Sequence, residues 1–154
     1  MANYKRVFLE GYSYFITVVT HRRNPILVEN LALLRDAFGY SKSKYTYRIE
    51  AIVILPDHFH MIISPQNATE YPKIISSIKR YFSRYCDPKY YADIEQSESR
   101  YRRGMKPIWQ KRFYEHTIKD EKDLQEKLKY MYENPVKHQY TDDPKHWKYS
   151  SFCK

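Results

Sequence analysis

The stretch ILPDHFHMIISP, residues 54–65, is two extended apolar runs broken at Pro56-Asp57, and its reading decides the fold. Neighbouring residues on a strand point to opposite faces, so Phe59, Met61 and Ile63 share one face while His58, His60 and Ile62 share the other. The first row expects a helical layer beneath it. The second offers two imidazoles to a single ion, which is half of a divalent-metal site.

Working outward, YSYFITVVT (12–20) is rich in β-branched and aromatic residues and reads as a strand, which HRRNP (21–25) breaks. ENLALLRDAFGYSKSKY (29–45) places Leu31, Leu34 and Phe38 at helical spacing. YRIEAIVILPD (47–57) is a second strand ahead of the two-histidine strand. EYPKIISSIKRYFSRYC (70–86) is a second helix with an apolar stripe of Ile74, Ile75, Ile78 and Phe82, leaving Lys79, Arg80 and Arg84 to solvent or phosphate. IWQKRFYEHTI (108–118) reads as a fourth strand. DEKDLQEKLKYMYEN (120–134) reads as a third helix, started by Asp120 with Asp123 and ended by Pro135. The order β-α-β-β-α-β-α predicts an α+β domain spanning 1–154: a ferredoxin-like (RRM-like) antiparallel sheet, two helices on one face and an additional C-terminal helix on the other.

On that last helix Leu124, Leu128 and Met131 form the apolar stripe. Tyr130 and Asn134, four residues apart and therefore neighbours, sit about 100° away on its shoulder, from which they reach towards the histidines. Tyr132 lies on the other shoulder. A tyrosine beside a metal suits attack on a phosphodiester, because an ordinary phenol is mostly protonated at neutral pH and a phosphodiester repels anions. A cation held by His58, His60 and the Asn134 side chain would relieve both problems. Lys127, one turn before Tyr130, is a candidate to hold a phosphate.

Composition suits such a substrate. Lys+Arg number 27 against 18 Asp+Glu, a formal charge of +9 and a pI near 9.4, which points to a polyanion and most readily to nucleic acid. The 17 Tyr, 7 Phe and 2 Trp supply faces on which unpaired bases stack, beside those needed for a core. Candidate DNA contacts are Arg22 and Arg23 after the first strand, Lys79, Arg80 and Arg84 on the second helix, and Lys127. To these add Arg100, Arg102, Arg103, Lys106, Trp109, Lys111 and Arg112, from a run without an acidic residue that Gly104 and Pro107 mark as a mobile loop. Cys86 and Cys153 lack ligand spacing and are expected to be reduced. No apolar run is long enough for a membrane span or a signal peptide, so a cytoplasmic protein without a membrane partner is expected.

These segments together resemble the REP-associated tyrosine transposases, within the single-tyrosine HUH (histidine, bulky hydrophobic, histidine) transposases related to those of insertion sequences. YSYFITVVTHRR resembles the family's first strand and ILPDHFHMII its HUH strand. IWQKRFYEHTIKDEKDLQEKLKYMYENPVKH resembles its fourth strand and tyrosine helix, and WKYSSF its C-terminal signature. The resemblance implies cleavage and rejoining of single-stranded DNA through a 5′-phosphotyrosine, at hairpin-flanked sites, with a divalent cation (Mg²⁺ or Mn²⁺). It assigns the nucleophile to Tyr130 and the metal to His58, His60 and Asn134. Relatives include both dimers and monomers, so either a homodimer or a monomer is compatible with it. Asp57 stands where members often have Asn, Gln139 where they have Gly, and Asn134 where related insertion-sequence enzymes have Gln. Asp57 is thus a further candidate, as a ligand or as a group that orients an imidazole. The alternatives are a non-catalytic nucleic-acid-binding module on the same fold and, further behind, a nuclease that releases its product to water.

Overall fold

The computed structural model describes residues 6–152, so Cys153 lies outside the described residues; Cys86 is buried and free. Strands β1 (Tyr14–Val19), β2 (Tyr47–Ile54), β3 (His58–Pro65) and β4 (Tyr114–Thr117) form one antiparallel sheet in the order β2-β3-β1-β4. Helices α1 (Leu31–Lys44) and α2 (Tyr71–Tyr85) pack together on one face, and α4 (Glu121–Lys137) lies against the other. This is the ferredoxin-like arrangement with an added helix that the sequence predicts.

The alternation of β3 divides the interior in two. Phe59, Met61 and Ile63 join Leu34 of α1 and Ile74, Ile75, Ile78 and Phe82 of α2 in the larger core. Ile62 joins Phe15, Ala51, Val53, Ile118 and Met131 in a smaller core under α4, with Leu124 and Leu128 at its margin. A slip of one residue in β3 would exchange these sets, so the apolar pattern fixes the register and with it the face on which the histidines stand.

Three local expectations need correction. The fourth strand is short: Trp109 makes only an isolated bridge to Thr20, while the ladder proper begins at Tyr114 opposite Thr17. Between the two pairs, four residues (110–113) face two (18 and 19), and this two-residue excess interrupts what alternation alone reads as continuous. The basic run is not an unstructured loop, because Ser97 caps a short helix α3 (Glu98–Arg102), and Arg100 donates to the carbonyls of Lys106 and Trp109. Finally, α4 runs through Pro135 to Lys137. A proline so near the end removes just one helical bond. The last turn closes instead through Tyr140 N–H to Pro135 C=O (2.9 Å) and Gln139 N–H to Val136 C=O (2.9 Å), the two bonds of a Schellman ending.

The C-terminal segment covers the outer edge of β2. Ile54 N–H donates to Tyr149 C=O, Ser151 N–H to Ile52 C=O, and the Trp147 indole to Ile54 C=O, so that edge is not left open for pairing. Among the described residues no helix is long and apolar enough to cross a membrane.

Candidate active site

The site forms where β3 passes beneath α4. His58 and His60 are buried side by side, their ring centroids 4.8 Å apart. Each ring is fixed through Nδ1. Asp57 accepts from His58 Nδ1 at 2.6 Å, and Thr17, paired directly opposite His60 across the β1–β3 ladder, places its hydroxyl 2.7 Å from His60 Nδ1. Both Nε2 atoms are thereby turned towards α4, the second-layer arrangement usual for metal-binding histidines.

From α4, fully buried Asn134 brings its side-chain oxygen to 3.3 Å from His58 Nε2. Tyr130, one turn earlier, rests its ring 5.3 Å from that of His60 and 6.0 Å from that of Phe15. Its side chain is 40% exposed, open to a large ligand while held at its base. A cavity of about 570 Å³ opens over the group, lined also by Thr17, Arg23, Tyr114, Glu126, Lys127, Lys137 and His138.

The electrostatics favour the neutral form of His60 and of His138. Burial is the main cause pushing His60 down to about 3, reinforced by charge on the neighbouring imidazoles His58 and His138 when they are protonated and by Arg23 and Lys137. His138 is lowered too, by burial and then by His58. For Asp57, burial raises the carboxyl but His58 and Arg23 outweigh it, so the net shift is downward and the group stays an anion.

These donors fit a divalent cation. His60 Nε2 and Asn134 Nδ2 are buried with no hydrogen-bond partner, and the lone pair of His58 Nε2 faces the Asn134 oxygen. An unsatisfied buried imidazole nitrogen is costly, and a cation bound by His60 Nε2, His58 Nε2 and the Asn134 side-chain oxygen would satisfy it, while the Asn134 NH2, a donor, would be left to face a substrate oxygen or water. Two imidazole nitrogens and an amide oxygen leave positions for a substrate oxygen and water. Among the described residues no group of three or more His, Cys, Asp or Glu is arranged to hold a metal ion, and Asp57 is committed to His58 and to Arg23 at 3.3 Å.

The remaining sequence candidates divide between two faces. Arg23 and Lys127 line the cavity, Lys127 bonded to Asp123 at 3.2 Å, and Arg22 is exposed beside Arg23. Lys79, Arg80, Arg100, Lys106 and Lys111 line a separate cavity on the α2 side, and Arg84 a groove beside it. Arg102, paired with Glu98, and Arg103 and Arg112 are exposed. Trp109 is a correction: it is 5% exposed, packs on Phe59 and Phe82 and donates to Lys79 C=O, so its ring is core and offers no free face to a base. His116 bonds Asp123 at 2.7 Å, a structural role. Sequence reasoning missed Thr17, which only the β1–β3 register reveals, and Lys137, whose signal was available: seven residues after Tyr130 is two helical turns, and its Nζ sits 5.2 Å from the Tyr130 ring centroid.

Comparison with known proteins accords with this geometry. A family model described as "Transposase IS200 like" matches residues 9–134. A Haemophilus influenzae protein provisionally named REP-associated tyrosine transposase is 40% identical over 99% of this chain and 86% of its own length. The REP-associated tyrosine transposase of Escherichia coli K12 is 32% identical over 99% of this chain and 83% of that protein. A solved REP-associated tyrosine transposase, bound to a REP hairpin, superposes with a TM-score of 0.82 at 31% identity, covering 99% of this chain and 83% of that one. Agreement of family, relatives and fold over nearly the full length means that the chain belongs to the IS200-like transposases, as one of the REP-associated tyrosine transposases of the single-tyrosine HUH type.

Proposed function

We propose that this enzyme cleaves and rejoins single-stranded DNA at hairpin-flanked sites, with Tyr130 as nucleophile and His58, His60 and Asn134 as the ligands of one divalent cation, Mg²⁺ or Mn²⁺. The observation that carries the reading is the convergence of a half-exposed phenol with buried His58, His60 and Asn134 at one cavity, the Asn134 oxygen lying against His58 beneath it. The relative solved with a REP hairpin supports the choice of DNA.

In this reading the Tyr130 oxygen forms a bond to the scissile phosphorus as the bond to the 3′-oxygen breaks. The phenol proton passes to water and the departing oxygen takes one up, leaving a 5′-phosphotyrosine that a second strand's 3′-hydroxyl can resolve. When bound, the cation supplies polarisation of the phosphate and charge neutralisation at its equatorial oxygens. Asp57 and Thr17 hold the two imidazoles in their tautomers, Phe15 braces the phenol edge-on, and Arg23, Lys127 and Lys137 outnumber Glu126 among the charged groups lining the cavity. The basic residues Arg22, Lys79, Arg80, Arg84, Arg100, Arg102, Arg103, Lys106, Lys111 and Arg112 contribute to retaining the DNA.

The test is incubation with end-labelled single-stranded hairpin DNA and Mn²⁺ or Mg²⁺, resolved on a denaturing gel. A metal-dependent covalent protein–DNA band that Tyr130→Phe abolishes is expected. Cleavage without the band would replace the proposal with a hydrolytic nuclease, and tight binding with neither would replace it with a binding module.

A further inference from the structure

Across the sheet from Tyr130, a groove of about 290 Å³ runs between α1 and α2. Its floor is a ladder of three phenol rings: Tyr40 lies 5.1 Å from Tyr81, and Tyr81 4.7 Å from Tyr85. The outer rings are 40% and 56% exposed, more than packing of the two helices explains. Cations flank them, with Lys44 Nζ 5.3 Å from the Tyr40 centroid, the Arg84 guanidinium 5.6 Å from that of Tyr85, and Arg80 on the wall. No carboxylate lines the groove.

The groove does not end at α2. Arg80 also lines the adjoining cavity of about 520 Å³, whose walls bear Lys79, Arg100, Lys106 and Lys111 and again no carboxylate. Lys111 lies three residues before Tyr114, which begins the edge strand β4 and lines the Tyr130 cavity. Cations thus line both cavities from the tyrosine ladder past Arg80 to Lys111, three residues from the edge strand that borders the Tyr130 cavity.

We infer that the α1–α2 groove is a second DNA subsite, which takes an unpaired stretch of the strand whose other part reaches Tyr130, stacking its bases on Tyr40, Tyr81 and Tyr85 and setting its phosphates against Lys44, Arg80 and Arg84. The inference rests on the reading of this protein as an enzyme of single-stranded DNA. Exposed rings interleaved with cations are a platform for unpaired bases, whose π-faces are free; a duplex hides those faces and could use the cations alone. An acidic peptide would pair with the cations and leave the ladder idle.

The experiment measures binding by fluorescence anisotropy in a Tyr130→Phe background, which leaves the DNA intact. An unstructured single strand is compared with the duplex of the same sequence. Tyr40→Ala and Tyr85→Ala change exposed residues, and circular dichroism verifies their folding. Each is expected to weaken single-strand binding about 5-fold or more, with duplex binding unaltered and Tyr85→Phe near wild type. An iodouracil-substituted oligonucleotide is expected to crosslink to Tyr81 or Tyr85 on irradiation. Unchanged affinity in the alanine variants, equal losses on duplex, or competition by an acidic peptide without ring dependence would overturn the subsite. The two readings fail separately. Absence of any Tyr130 adduct together with ring-dependent binding would remove strand transfer and leave the groove, whereas normal adduct with ring-independent binding would remove the groove and leave Tyr130.

Discussion

At the scale of the residue, the site is controlled by side chains that touch neither DNA nor metal in the proposed reading. Asp57 accepts from His58 Nδ1, and Thr17 sits on His60 Nδ1. Outer partners of ligating histidines are typically worth 10–100-fold in metal affinity or activity. Asp57→Ala should therefore reduce adduct formation by about that factor, while Asp57→Asn retains most of it, because an amide oxygen still accepts from the imidazole and only the Arg23 pairing is lost. Comparable activity in the two variants would show that charge, not the acceptor, is what matters. Thr17→Val should weaken Mn²⁺ binding by a similar factor in a calorimetric titration, with little change in melting temperature. Gln139 offers a different single-residue effect. Its φ of 64° lies in the left-handed region, at the position after the α4 cap where glycine is favoured. Gln139→Gly should stabilise the fold by about 0.5–1 kcal/mol, a gain of a few degrees in melting temperature.

At the scale of the element, α4 is the part on which the chemistry depends, and its first turn is a small charged network. Asp120 caps the helix by accepting from Asp123 N–H at 2.8 Å; the Asp123 carboxylate in turn accepts from Lys119 N–H at 2.9 Å, from His116 at 2.7 Å and from Lys127 at 3.2 Å. Asp120→Ala should cost about 1 kcal/mol. Burial raises the Asp123 carboxyl, but those three bonds outweigh it and hold it at about 2. Because the folded value lies below the ordinary one, the unfolded chain takes up the proton first. The stabilisation is complete above roughly pH 4 and is lost as the pH falls from there towards 2, a window in which Asp123→Asn should flatten the decline of stability in acid. Much of this was legible in sequence: the phase of β3, the faces of α2 and α4, and the pairing of Tyr130 with Asn134 all follow from local periodicity. What escaped was non-local or too short to have a period. Thr17 needs the register of two strands some forty residues apart, α3 is little more than one turn, Trp109 is core despite its basic neighbours, and Pro135 stops the helix only after the Schellman turn has been prepared.

At the scale of the whole molecule, the formal charge of +9 is distributed unequally between spent and available cations. Arg102 is paired with Glu98, Lys127 with Asp123 and Arg23 with Asp57, whereas Arg80 and Arg84 have no carboxylate partner within ion-pair distance among the described residues. Lys79 is held in place without a carboxylate: its Nζ donates to the carbonyls of Gln110 and Lys111, which ties the basic segment to α2, and burial lowers it to about 8, so it offers a phosphate less than Arg80 or Arg84 does. Affinity for DNA falls with salt in proportion to the phosphates neutralised, with a slope near −0.7 per contact for single strands. Arg80→Ala combined with Arg84→Ala should therefore flatten the logarithmic salt dependence of single-strand binding by roughly 1.4. Arg102→Ala should change it less than either, because the lost arginine had to leave Glu98 before meeting a phosphate, and Glu98→Gln should partly restore affinity in that variant by removing the orphaned anion. Identical slopes in all the variants would mean that the α2 face carries no DNA and that retention is confined to the cavity around Tyr130.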